Sequence, residues 1–144
     1  MRVILGGTLI GMLTIFAFWF GYYEHGYSPY DANIPQNVHE YARTMAFMTI
    51  VSCQLLYALT FRHPLKSIFT MSIFSNKYLI GAVVIGLLLQ LIVLGIPALH
   101  NAFKLEMLNA RGWINVIVLG FIPIGFNEIA KAIMRKRTAK SINT

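Results

Sequence analysis

The sequence predicts an all-α, polytopic membrane protein: a four-transmembrane-helix bundle with both termini cytoplasmic. Three observations carry this reading. Of the 144 residues, 57% are hydrophobic and only 12% are charged, more apolar surface than a soluble domain of this size can bury. Four apolar runs, near 3–22, 42–61, 78–97 and 113–134, each supply the roughly 20 helical residues needed to cross a hydrocarbon core of about 30 Å. The basic residues are also unevenly divided between the two sides. Nine of the twelve (Arg2, Arg62, Lys66, Lys77, Lys131, Arg135, Lys136, Arg137 and Lys140) fall on one side of the expected membrane. Arg43, Lys104 and Arg111 fall on the other, beside Glu24, Asp31, Glu40 and Glu106. The positive-inside rule assigns the basic side to the cytoplasm.

The first span is too long for the core of a secretory signal, and no small-residue cleavage site follows Phe16–Gly21, so it reads as a retained helix. Within it, Gly7 and Gly11 form a GxxxG pair, a flat strip that suits close approach by another helix, inside or outside this chain. The loop at 23–41 carries Ser28-Pro29, Asp31, Asn33 and Pro35, all of which favour turns.

The second span holds one carboxamide, Gln54, near mid-membrane, with Thr49, Ser52 and Cys53 nearby. An amide at that depth serves either as interhelical glue or as a wall of an ion pathway, because its oxygen suits a hard cation. Ser52, two residues away, faces elsewhere. Cys53 reads as a small buried hydrophobe. The segment from Arg62 to Lys77 mixes basic and apolar residues, and Ile68, Phe69, Met71, Ile73 and Phe74 are expected to face lipid or protein.

The third span is almost wholly aliphatic apart from Gln90, which reads as structural, and Pro97 is expected to mark its outer end. In the fourth, Pro123 should kink the helix. Glu128 and Lys131, spaced i and i+3, form a candidate structural ion pair. The basic segment beyond is expected to rest against anionic headgroups. Trp19, Tyr22, Tyr23, Tyr41 and Trp113 are placed as an outer aromatic belt, with Tyr78 at the inner side.

Several function classes are disfavoured. The net charge of +7 is accounted for by membrane asymmetry, which leaves no case for nucleic acid. His25, His39, His63 and His100 lack metal-ligand spacing. There is no phosphate-binding glycine loop, and no nucleophile with an adjacent base. An independent small transporter would call for a midplane acid or broken helices.

Taken in order, four motifs resemble the C-terminal membrane domain of P-type cation-transporting ATPases, the calcium-pump branch in particular. Val3–Ile15 looks like that family's glycine-rich seventh helix. Ala42-Arg-Thr-Met-Ala-Phe47 with Gln54-Leu-Leu-Tyr-Ala-Leu59 looks like the eighth. Ser75-Asn-Lys-Tyr-Leu79, Leu89-Gln90 and Pro97 look like the ninth, and Trp113, Pro123 and Glu128-Ile-Ala-Lys131 like the tenth. The resemblance covers roughly 3–137. It implies one C-terminal membrane domain that supports a transport core, in a bacterial plasma membrane.

The resemblance also implies Ca as the transported cation and Gln54 at a position where two-site pumps carry a cation-binding glutamate. ATP and Mg would act on the parent pump, with no cofactor in this chain. Partners would be the bilayer and the pump's remaining helices and cytoplasmic domains, including a fifth helix against the seventh. Asp31, in the outer loop, is the one aspartate present, so the phosphorylated aspartate of such a pump is expected elsewhere and this chain is not catalytic alone. The alternative is a free-standing four-helix protein acting as a regulatory or assembly subunit.

Overall fold

Long apolar runs in lipid must pair their backbone polar groups internally, which favours helices. The computed structural model describes residues 2–60, 66, 67, 70 and 72–142, with Arg2 and Ile73 described in backbone only. It contains α1 (Arg2–Glu24), α2 (Gln36–Thr60), α3 (Lys77–Gly95), the short α4 (Pro97–Ala102) and α5 (Ala110–Ile142), with a 3₁₀ turn at Ile73–Ser75. No strand occurs among the described residues. Four of these helices, all but α4, are long and apolar enough to cross a membrane. The protein is an all-helical, multi-pass membrane protein.

Helix α2 is the hub. Along α1, Gly21 lies against the backbone of Ala42, Ile10 packs with Cys53 and Tyr57, and Gly6 fits beneath Tyr57. As α1 ascends α2 descends, so the pair is antiparallel. Along α5, Gly112 meets Tyr41 and Gly120 meets Leu56 and Ser52, so α2 and α5 run in the same direction. Gly86 of α3 sits against Leu55. The start of α1 and the end of α5 therefore lie at the same end of the bundle. The glycines that bring helices together within the chain are thus Gly6, Gly21, Gly86, Gly112 and Gly120, each where a Cβ would meet a neighbour.

The main core joins Ala17, Met45, Met48, Val116 and Leu119 of α1, α2 and α5 to Leu94 of α3 and to Leu105 and Leu108 from the segment after α4. Helix α3 stands apart. It leans on α2, buries only Val83, Gln90 and Leu94, and exposes Val84, Ile85, Leu88, Leu89, Leu91 and Ile92. An all-round apolar helix of this kind suits a lipid-facing position. An apolar cleft of about 280 Å³ separates α3 from α5 over the α2 surface.

Two helices stop in the same way. After α1, Gly26 N–H bonds Tyr23 O and Tyr27 N–H bonds Tyr22 O, with Gly26 at φ 75°. After α4, Lys104 N–H bonds Asn101 O and Leu105 N–H bonds His100 O, with Lys104 at φ 50°. Both are Schellman stops, which want a left-handed residue. A side chain in that region costs about 1–2 kcal/mol. Gly26→Ala is expected to destabilise the chain, and Lys104→Gly to stabilise it, by about 1 kcal/mol each in thermal unfolding in detergent.

The structure differs from several sequence expectations. Pro97 marks the end of α3 as expected, but it also begins a further helix that was not expected. The helix ends at Gly95, Ile96 is extended as a residue before proline prefers, and Pro97 opens α4 at its first position. Tyr22 and Tyr41 lie near the end of α1 and the start of α2 but are turned into the bundle rather than into a belt, because each hydroxyl finds a polar partner there. Trp19 is exposed and stacked on Tyr23, with ring centroids 5.8 Å apart. Position 61, Arg62, His63, Ile68, Phe69, Met71 and the Ile73 side chain lie outside the described residues, while Phe74 is exposed.

Candidate functional site

Two glutamines occupy the interior depth of the second and third spans, and the structure treats them oppositely. Gln90 is 5% exposed. Its Nε2 donates to Met48 O at 2.9 Å and lies 3.3 Å from Ser52 Oγ. It therefore ties the outlying α3 to α2, satisfying a polar group that would otherwise be costly in lipid. Ser52, near Gln54 in sequence, belongs to this buried contact.

Gln54 is exposed. Helical geometry at 100° per residue explains why. On α2, Ile50, Cys53 and Tyr57 face α1, Ser52 and Leu56 face α5, and Leu55 faces α3. Gln54 points to the remaining sector, on the flank of α1 opposite α5. On α1, Gly6, Ile10 and Gly21 face α2, while Leu13 and Phe20 turn towards the core shared with α5. Gly7 and Gly11 are rotated to the other flank, and a Cβ at either would meet nothing within 4 Å.

Gly7, Gly11 and Gln54 consequently border one open seam between α1 and α2, on the side away from α5. They are close in depth as well, since Ile10 beside Gly11 packs on Cys53 beside Gln54. A smooth glycine wall next to an exposed carboxamide leaves room for another helix. Calcium takes six to eight oxygens, so a single carboxamide on this seam does not by itself make a calcium site.

Glu128 and Lys131 lie in the C-terminal half of α5, with Lys131 Nζ 3.3 Å from Glu128 Oε1 and 3.1 Å from the carbonyl oxygen of Lys66. Lys131 is 1% exposed. The amine thus holds both its helical neighbour and the segment that follows α2. Sequence reasoning missed the second acceptor, since a backbone carbonyl leaves no signature in residue type.

It also missed a polar knot at the end of the bundle where α1 stops and α2 and α5 begin. Asn109 caps α5, its Oδ1 accepting from Gly112 N–H at 2.8 Å, and its Nδ2 donates to Glu24 at 2.9 Å. The Tyr41 hydroxyl lies 2.9 Å from Glu24 Oε2 and 2.8 Å from Asn109 Oδ1. His25 meets the Tyr41 ring edge-on at 4.5 Å, and Thr44 Oγ1 accepts from Glu106 N–H at 2.8 Å. The cap had a readable signal, an Asn directly before an apolar helical run. This knot ties α1, α2 and α5 together. Asp31 serves a local turn, accepting from Ser28 N–H.

Comparison with known proteins agrees with these elements. A family model described as "Cation transporting ATPase, C-terminus" matches residues 1–133. The chain is 37% identical over 139 residues to calcium-transporting ATPase 1 of Bacillus cereus (strain ATCC 10987 / NRS 248), an alignment covering 90% of this chain and 15% of that protein. It is 36% identical over 122 residues to the calcium-transporting ATPase of Bacillus subtilis (strain 168), covering 85% of this chain and 12% of the relative. With calcium-transporting ATPase type 2C member 1 of Mus musculus the identity is 26% over 137 residues, covering 95% and 14%. The chain therefore spans only a small part of the length of these relatives.

Proposed function

This chain belongs to the family of cation-transporting ATPase C-termini, and on that premise we propose that it works as the buttress of a P-type calcium pump's transport core. In this reading the open α1–α2 seam receives another membrane helix of the pump, and Gln54 contributes a neutral oxygen at the edge of the cation path. The observation that carries it is the shared flank of Gly7, Gly11 and Gln54, apolar, smooth and uncovered by the described residues of this chain.

Calcium as the cargo rests on the names of the relatives. ATP, Mg and the phosphorylated aspartate belong to the rest of the pump. The bacterial plasma membrane is the proposed location, and the two Bacillus relatives support it. The positive-inside rule places the end of the bundle bearing Lys131 and Lys140 in the cytoplasm.

Affinity purification of the tagged chain from its native membranes, followed by mass spectrometry, tests the proposal. A polypeptide carrying the phosphorylation and nucleotide domains of a P-type ATPase is expected to accompany it. Gly7→Leu/Gly11→Leu, which fills the seam without touching an internal contact, is expected to reduce that recovery by roughly 10-fold, equivalent to about 1.4 kcal/mol of association. Purification without such a partner overturns the proposal and favours a free-standing membrane protein.

A further inference from the structure

Helix α5 is longer than a bilayer needs. Its 33 residues extend about 50 Å at 1.5 Å per residue, against a hydrocarbon thickness of about 30 Å. Trp113, half-buried at its outer start, is the kind of residue that sits at the membrane interface. Counting about 20 residues from there brings the helix to Ile133 at the far edge of the hydrocarbon. The headgroup layer beyond is about 5–7 Å deep, or roughly four residues. Arg135, Lys136 and Arg137 fall in that layer, and all three are exposed.

Three consecutive helical residues do not make a face. At 100° steps they point in three directions around the axis. The sector left between Arg137 and Arg135 contains Met134 and Lys131, which are half-buried and buried, so that sector faces the bundle. Four of the chain's five acidic residues, Glu24, Asp31, Glu40 and Glu106, belong to the opposite end. The fifth, Glu128, is held by Lys131.

We infer that Arg135, Lys136 and Arg137 form a cationic collar that gathers anionic phospholipid headgroups from the adjacent leaflet. A helix that docks on one protein surface would carry its charge on one side. A collar presents cations on every side not covered by the bundle, which suits a mobile lipid annulus. Once gathered, the phosphates fix the depth of α5 in the membrane. This inference rests on the spanning helix alone and is independent of the pump reading.

The test uses the full chain reconstituted in phosphatidylcholine vesicles containing a trace of spin-labelled phosphatidylglycerol or spin-labelled phosphatidylcholine. The motionally restricted lipid is read by electron paramagnetic resonance. The anionic probe is expected to be favoured about 5-fold at low salt, falling towards parity near 1 M salt, where the screening length is about 3 Å. Arg135→Gln/Lys136→Gln/Arg137→Gln is expected to bring the ratio close to one. The charge-conserving Arg135→Lys/Arg137→Lys should keep it, as should Lys104→Gln/Arg111→Gln at the other end. Full preference in the triple variant overturns the inference, and so does loss of preference in the charge-conserving variant. A triple variant that keeps its lipid preference but loses a co-purifying acidic protein also overturns it, in favour of a protein partner.

Discussion

Lys131→Met is expected to lower the unfolding free energy of the chain by about 3–5 kcal/mol, the range for removing one partner of a buried ion pair. The amine is 1% exposed, and Glu128 beside it only 14%. Its removal takes a cationic partner from Glu128 and a donor from the Lys66 carbonyl, 3.1 Å away. The segment following α2 then loses its tie to α5. Neutralising Glu128 removes the charge that Lys131 balanced, so Glu128→Gln/Lys131→Met should recover part of the loss. Equilibrium unfolding of the four members of this cycle in mixed micelles measures it. A single-variant loss below about 1 kcal/mol, the scale of an exposed pair, would show that the pair is solvated.

The largest functional effect is expected at Gln54. In the proposed pump, Gln54→Ala should raise the calcium concentration for half-maximal transport about 10-fold, the scale of a lost contact to a charged group of roughly 1.5 kcal/mol. Gln54→Glu restores an oxygen and adds a negative charge, so it should shift that concentration below the wild-type value. Gln90→Leu supplies the contrast. It cuts the bonds from α3 to Met48 and Ser52 and should lower stability while leaving calcium dependence unchanged. Calcium uptake into inverted membrane vesicles reads all three. If Gln54→Ala transports with unaltered calcium dependence, the amide is not part of the cation path.

Hydropathy made the four membrane-spanning helices legible, because lipid leaves an apolar run of this length few alternatives to a helix. The pairing of those helices was hidden. Gly7 and Gly11 carry a recognisable spacing, yet the close approach to α2 is made by Gly6 and Gly21. One residue of rotation separates the two sets, and only the partner decides which faces inward. Gln54 and Gln90 posed the same problem, since residue type and depth are alike while one is buried and the other exposed. The seam at Gln54 became recognisable only after α1, α3 and α5 had been placed around α2. The knot of Glu24, Tyr41 and Asn109 joins three distant stretches of chain, and local patterns carry no information at that separation. Helix α4 was missed because Pro97 can end one helix or begin the next.

Pro123 lies within α5 and has no N–H, so the Leu119 carbonyl is deprived of its usual partner one turn on. The Cys53 thiol points at that oxygen from α2, with sulfur and oxygen 3.5 Å apart. Positions 53 and 123, joined in space through the Leu119 carbonyl, should therefore vary together. As long as proline occupies 123, the residue at 53 should remain a small donor, cysteine or serine. Lineages that restore an N–H at 123 release that requirement, and alanine or valine can then drift into 53.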